Sequence, residues 1–234
     1  MNLLLFIGFI CLGVVGSIAA KKLTVPAAIT GGLLGVLIYA GIGWTGVALM
    51  SSFFILGSGA TGWKKRAKQN LGLKPENKSG RTTGQVLANG GAGGLLGLIA
   101  IIYPQSSAVC LLLAAGAFSS ATADTMSSEL GSVYGHRFYD ILTFKNGRRG
   151  DDGVISIEGT LAGLCGSVVI AVVYSVATIW GWNFLWIVIA GTIGNLADSY
   201  LGATLERKGI IRNDAVNFLN TLAGALSLLL LHKL

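Results

Sequence analysis

The sequence predicts an all-α fold, a polytopic membrane bundle of about eight transmembrane helices. Three observations carry that expectation. Of the 234 residues, 53% are hydrophobic and only 12% are charged, where a soluble domain has about 25% charged residues. The apolar residues, with a mean hydropathy of +0.70, gather in runs of the roughly 17 to 25 residues that cross a ~30 Å hydrocarbon core. The basic residues are confined to alternate connections between those runs.

Taken in order, the runs are 3–20, 24–40, 45–61, 86–103, 107–125, 159–180, 183–201 and 215–231. The first lacks a basic leading segment, and no small-residue cleavage site follows it. It is expected to be a permanent helix rather than a signal peptide. The third is the most polar, with Ser51, Ser52, Ser58 and Thr61. The 35 glycines suit helices that approach closely, and Gly90 with Gly94, and Gly93 with Gly97, form GxxxG pairs. Cys11, Cys110 and Cys165 lie in apolar runs without metal-ligand spacing and read as small core residues. His136 and His232 have no partner pattern and are given no role.

The connections after runs 1, 3, 5 and 7 hold Lys21 and Lys22, then Lys64, Lys65, Arg66, Lys68, Lys74, Lys78 and Arg81, then Arg137, Lys145, Arg148 and Arg149, then Arg207, Lys208 and Arg212. Only Lys233 falls on the other side. The positive-inside rule makes the charged side cytoplasmic and puts both termini outside. The short opposite connections carry interfacial aromatics: Tyr39, Trp44, Tyr103, Trp180 and Trp182. The net charge of +7 is therefore topology, with no nucleic acid implied. The pattern, without a transit segment, suits a prokaryotic plasma membrane. Three parts are expected: N-terminal helices over 1–61, a basic loop over 62–85, and a catalytic membrane domain of helices 4 to 8 over 86–234.

The chemistry is expected in the stretch from Ser119 to Gly131, which places Asp124 and Glu129 at or near one helix end. A carboxylate there costs a few kcal/mol and is a functional-site hypothesis by default. The pattern recurs, Ala123-Asp124-Thr125 matching Ala197-Asp198-Ser199. Asn89 to Gly93, Gly159 to Gly163 and Asn220 to Gly224 share a second short pattern ending in Ala-Gly, so a helical hairpin is read as repeated, followed by a last helix. Helices 4, 6 and 8 present N-termini to the cytoplasm, where free N–H groups attract phosphate, and Asn89-Gly90-Gly91 would let an anion approach the backbone. The plainer reading of Gly90 is helix packing. Asp124 and Asp198, at opposing helix ends, need a cation. Mg²⁺, bound through a few carboxylates, water and substrate phosphates, serves best, with Asp124, Glu129 and Asp198 as its candidates. An Asp–Arg pair would serve packing instead. Ser127, Ser128, Asn195, Ser199, Asn217 and Asn220 extend the polar set, Asn217 and Asn220 sharing a helix face.

Together, Arg81 to Gly90, Ala121 to Gly131, Thr143-Phe144-Lys145, Asp152-Gly153 with Ser156 and Gly159-Thr160, Gly194 to Ser199, Leu201 to Ala203 and Val216 to Phe218 carry a resemblance. They resemble the integral-membrane family that includes the phytyl-phosphate kinases of tocopherol synthesis and animal transmembrane protein 19. The resemblance runs from about residue 81 to the C-terminus; residues 1–60 share only hydrophobicity. It implies phosphate transfer from CTP to an isoprenyl monophosphate, giving the diphosphate and CDP at the cytoplasmic face, with Mg²⁺ as cofactor. It also implies acidic positions at Asp124, Glu129 and Asp198, and polar ones at Arg81, Gln85, Asn89, Asn195, Ser199 and Asn217. Lys78, Lys145 and Arg148 join them as cations for the phosphates. Two departures stand out: Val154 and Ile155 follow Asp152-Gly153 where relatives tend to a second glycine, and Glu158 replaces an apolar residue.

Two other readings use the same residues. A secondary transporter would also carry intramembrane carboxylates, but near the midplane and commonly on inverted repeats. A lipid cytidylyltransferase would use CTP and Mg²⁺ and release pyrophosphate. A scaffold whose acids only fix helix register is a third. The partners expected are the isoprenyl monophosphate, CTP and the lipid bilayer; a homo-oligomer is compatible with the sequence.

Overall fold

The computed structural model describes residues 3–72 and 80–232. Its helices are α1 (Leu3–Ala19), α2 (Val25–Gly62), α3 (Lys65–Asn70), α4 (Thr83–Ile102), α5 (Ser107–Tyr134), α6 (Ile157–Ala177), α7 (Trp182–Leu201) and α8 (Asn213–Leu231). A two-residue hairpin, β1 (Tyr139–Asp140) against β2 (Val154–Ile155), sits between α5 and α6, with Tyr139 opposite Ile155. Six helical segments are long and apolar enough to span a membrane, and α1 is a shorter apolar helix.

The 38-residue α2 would be about 57 Å long if straight. It is not straight. Gly43 has φ 71° and ψ −165°, a backbone that only glycine adopts without strain. Beyond it the chain folds back, because Lys22 Nζ, just before α2, donates to the Ser58 carbonyl near its end at 3.1 Å. The two arms, 25–42 and 44–62, correspond to the second and third apolar runs, so the described residues make eight passes.

Contacts sort the ends of these passes into two sets. At one end, Ser107 Oγ donates to the Gly41 carbonyl at 2.8 Å, Phe6, Tyr39 and Trp44 stack together, and His232 meets Asn183. At the other, Arg81 N–H donates to the Lys22 carbonyl, Trp63 Nε1 to Tyr134 Oη, and Lys68 and Arg207 form ion pairs. This second, charged end holds the 62–85 connection and the β-hairpin.

Helix starts at the charged end are set by short polar side chains. Thr82 and Gln85 form a capping box on α4, at 3.4 and 2.9 Å, and Ser156 Oγ accepts from Gly159 N–H at the start of α6. The interior is held by close approach rather than by exclusion from water, since lipid is as apolar as leucine. A Cβ on Gly116 would lie 2.7 Å from the Gly224 carbonyl oxygen, so α5 and α8 touch backbone to backbone. Helix α5 is central, with Phe118, Ser119, Ser120 and Thr122 fully buried. Its hydroxyls tie it to its neighbours: Ser119 Oγ donates to the Ile187 carbonyl of α7 at 3.0 Å, and Ser120 Oγ to Asn220 Oδ1 of α8 at 2.6 Å.

One boundary differs from expectation in a way that matters. The apolar run ends near residue 125, but α5 continues to Tyr134. Residues 126–134 remain helical, and Ser127, Ser128, Glu129, Gly131 and Ser132 among them line a polar cavity. Asp124 therefore lies well inside its helix rather than at its end, and Glu129 is on the same helix rather than in solvent beyond it.

Candidate functional site

A cavity of 790 Å³ opens at the charged end. Helix α5 brings Asp124, Ser127, Ser128 and Glu129 to it, and α7 brings Asn195, Asp198 and Ser199. Gln85 and Asn89 reach it from α4, Asn213 and Asn217 from α8, and Arg81 from the segment before α4. The acidic positions of the two Ala-Asp-[Thr/Ser] motifs, Asp124 and Asp198, both line this cavity. Asn220, buried behind them, donates from Nδ2 to Asp198 Oδ1 at 2.9 Å, completing a chain from Ser120 through Asn220 to Asp198. Asn220 thus positions an acid and does not line the cavity. Asn217 donates to Asn213 Oδ1 at 3.0 Å and Ser199 Oγ to the Asn195 carbonyl at 3.2 Å.

Asn89 is only 7% exposed, and its Nδ2 donates to the Gln85 carbonyl at 3.0 Å. That bond fixes the amide orientation, since Oδ1 cannot donate. Its Oδ1 is left buried without a hydrogen-bond partner among the described residues. A buried acceptor in that state costs about 1–3 kcal/mol unless something donates to it.

The cavity is also lined by basic residues, Lys21, Lys22, Lys65, Lys68 and Arg81. Arg81 stacks over Phe53 at 5.5 Å, with its main chain paired to Lys22. Sequence reasoning read Lys21 and Lys22 as orientation charges only. It also left the first helices outside the site, whereas Lys22, Ser58 and Thr61 line the cavity. No local pattern signals this, because it arises from α2 folding back.

Glu129 departs from its expected role. Its Oε2 accepts from Lys68 Nζ at 2.6 Å, and Lys68 is 8% exposed, also donating to the Ala60 carbonyl at 2.8 Å. The lysine caps the C-terminal end of α2, and Glu129 balances its charge. The trio Asp124, Glu129 and Asp198 is accordingly not gathered around one point. Among the described residues no three His, Cys, Asp or Glu side chains converge to hold an ion directly. The donor set that remains, the Asp124 and Asp198 carboxylates and the Asn89 oxygen, is hard oxygen chemistry suited to Mg²⁺, which keeps several of its waters.

Three other expected residues lie elsewhere. Gly90 packs against Leu34, where a Cβ would come within 3.1 Å, so helix packing accounts for it. Lys145 and Arg148 are exposed on the segment joining β1 and β2 and do not line the cavity. Asp140 Oδ1 accepts from the N–H groups of Leu142 and Thr143, turning that segment aside. Lys78 lies outside the described residues. The two departures from the resembling family have local uses: Val154 and Ile155 form β2, and Glu158 Oε1 meets His136 Nδ1 at 2.8 Å.

The β-hairpin loop adds acids that the sequence reading did not place among the site residues, although Asp152-Gly153 was among the motifs of the resemblance. Asp151, Asp152 and Gly153 line the cavity. Arg207, from the π-helical turn Gly202–Glu206 after α7, pairs with Asp140 at 2.7 Å and donates from Nε to the Asp152 carbonyl at 3.1 Å. The Arg207 guanidinium holds the Asp140 carboxyl below the usual range, helped by the Thr143 and Leu142 N–H groups.

Comparison with known families fits this geometry. The family model described as integral membrane protein DUF92 matches residues 8–225, nearly the whole chain. The chain belongs to the DUF92 family. The resemblance drawn from the motifs is borne out at that level, and the match begins well before residue 81. Among DUF92-like relatives, an uncharacterised membrane protein of Synechocystis is 32% identical over 89% of this chain and 83% of its own. The Arabidopsis thaliana protein VTE6, chloroplastic, is 33% identical over 86% of this chain and 62% of its own length. An uncharacterised membrane protein of Methanocaldococcus jannaschii is 33% identical over 83% of this chain and 79% of its own. No solved structure matches the chain.

Proposed function

We propose that this DUF92 protein is a CTP-dependent prenyl-phosphate kinase, moving the γ-phosphate of CTP onto an isoprenyl monophosphate at the cytoplasmic face of its membrane. The observation that supports it best is the cavity that Asp124 and Asp198 line together with Lys22, Arg81 and Lys65. A polyphosphate needs cations along its length and metal-bearing acids at the transferring group, and this cavity offers both. The family resemblance supplies the substrate class.

In this reading the charged end is cytoplasmic, by the segregation of its lysines and arginines. Asp124 and Asp198 hold Mg²⁺, with Asn89 Oδ1 as an acceptor toward its water. The bound ion would neutralise charge on the phosphates during transfer. Asn220 and Ser120 orient Asp198. Arg81 and Lys22 fix the nucleotide phosphates. The acceptor oxygen of the prenyl monophosphate bonds to the γ-phosphorus as the bond to the β-phosphate oxygen breaks, releasing CDP. That acceptor is already deprotonated near neutral pH, so no side chain has to remove a proton. The site lies at one end of the bundle rather than at its middle, which favours an enzyme over a carrier.

The test is made on purified protein in detergent with Mg²⁺, CTP and phytyl or geranylgeranyl monophosphate. CDP and a prenyl diphosphate should form, and Asp124→Asn or Asp198→Asn should reduce turnover by about 100-fold or more, with helicity and elution unchanged. Pyrophosphate with a CMP-linked lipid would make the protein a cytidylyltransferase. Folded protein without nucleotide turnover would overturn the enzyme reading and favour the transporter.

A further inference from the structure

We propose that Asp152, not Glu129, is the third acid of the cation site, acting beside Asp124 and Asp198 through water held on the ion. The inference rests on the reading of the cavity as a cation and phosphate site. Glu129 also lines the cavity, but its carboxylate is paired with a buried lysine at 2.6 Å that also caps α2. Asp152 lines the same cavity; Arg207 donates to its main-chain carbonyl and lies near its carboxylate as well.

The loop that carries Asp152 is fixed to the helix that carries Asp198. Arg207 donates to the Asp152 carbonyl through both Nε and Nη2. Gly153, at φ 73°, lies against Ala203 with no room for a Cβ. A Cβ on Gly202 would lie 3.7 Å from the Asp152 Cβ. Gly202 is one turn beyond Asp198, so Asp152 stands over the same side of α7 as Asp198. An acidic group alone would not make a site. The independent sign of a ligand is Asn89, more than nine-tenths buried on the cavity wall with Oδ1 unpartnered. Carboxylates do not donate to an acceptor amide, but a hydrated cation does. Mg²⁺ binds through one or two carboxylates while keeping several waters, which suits Asp124 and Asp198 with Asp152 reached through water.

The test uses the full-length protein in detergent and Mn²⁺ as the probe, with free Mn²⁺ followed by electron paramagnetic resonance in the absence of nucleotide. Asp152→Asn should weaken Mn²⁺ binding by about tenfold or more, the usual effect of removing a group that orders a metal's surroundings. Glu129→Gln should leave Mn²⁺ affinity within about twofold of wild type while lowering thermal stability. Asp152→Ser serves as a second variant if the first folds poorly. Unchanged affinity in folded Asp152 variants, or a larger loss in Glu129→Gln, would overturn the assignment. The test is independent of turnover. Asp152-dependent Mn²⁺ binding without transfer would sink the kinase reading and keep the site, whereas transfer with Asp152-independent binding would do the reverse.

Discussion

At the scale of the residue, the decisive distinction is between the two motif acids on the cavity wall and an acid held by a lysine. Asp124 and Asp198 line the cavity from α5 and α7, while Glu129 is bonded to Lys68 at 2.6 Å. Removing either Asp should abolish chemistry, but removing Lys68 should first loosen structure. Lys68→Met strands a partly exposed Glu129 and leaves the end of α2 without its donor, so a loss of about 2 kcal/mol is expected, below the full cost of breaking a deeply buried pair. Thermal melting in detergent checks this, and the Lys68→Met/Glu129→Gln double variant should recover part of the loss. The two Ala-Asp-[Thr/Ser] motifs were legible in sequence because polar residues stand out in apolar runs. The Lys68–Glu129 pair was not, since its members are 61 residues apart and each looks like an ordinary charge in a loop or at a helix edge.

At the scale of the element, the π-helical turn after α7 fastens the β-hairpin loop to the cavity through Arg207. The Asp140 carboxyl is held below its ordinary value, mainly by Arg207. Such a group stabilises the fold above the ordinary carboxylate range, and the contribution disappears as pH falls through the lowered folded value. Melting temperatures of wild type and Arg207→Ala should therefore differ near neutral pH and converge as the pH drops below about 4. A difference that persists undiminished in acid would mean that the ion pair is not what fastens the loop. The reversal at Gly43 is the other element-scale device. Gly43→Val forces a branched side chain onto φ 71° and should destabilise the α2 hairpin by more than about 1 kcal/mol. Apolar run lengths revealed both arms of α2. The tightness of their connection, and the continuation of α5 to Tyr134, were hidden because hydropathy reports lipid contact, and a helix lining a polar cavity has none to report.

At the scale of the whole molecule, eight passes put the basic connections at one end with the cavity, and the aromatic belt at the other. In a cysteine-free background expressed in bacteria, Asn146→Cys should be shielded from an impermeant thiol reagent in intact cells and Gly181→Cys should be labelled. The reverse pattern would invert the orientation. The eight-helix count was legible from charge alternation, because a wrong count would scatter the lysines. The share of the first helices in the site was not, since Lys22, Ser58 and Thr61 reach the cavity only through tertiary folding. The central claim is that this cavity transfers the terminal phosphate of CTP to a prenyl phosphate. The most direct measurement supplies purified protein, Mg²⁺ and phytyl monophosphate with CTP labelled separately at the α- and γ-phosphorus. Label in the lipid product from γ-labelled CTP alone is the predicted result. Label from α-labelled CTP, or from neither, would contradict it.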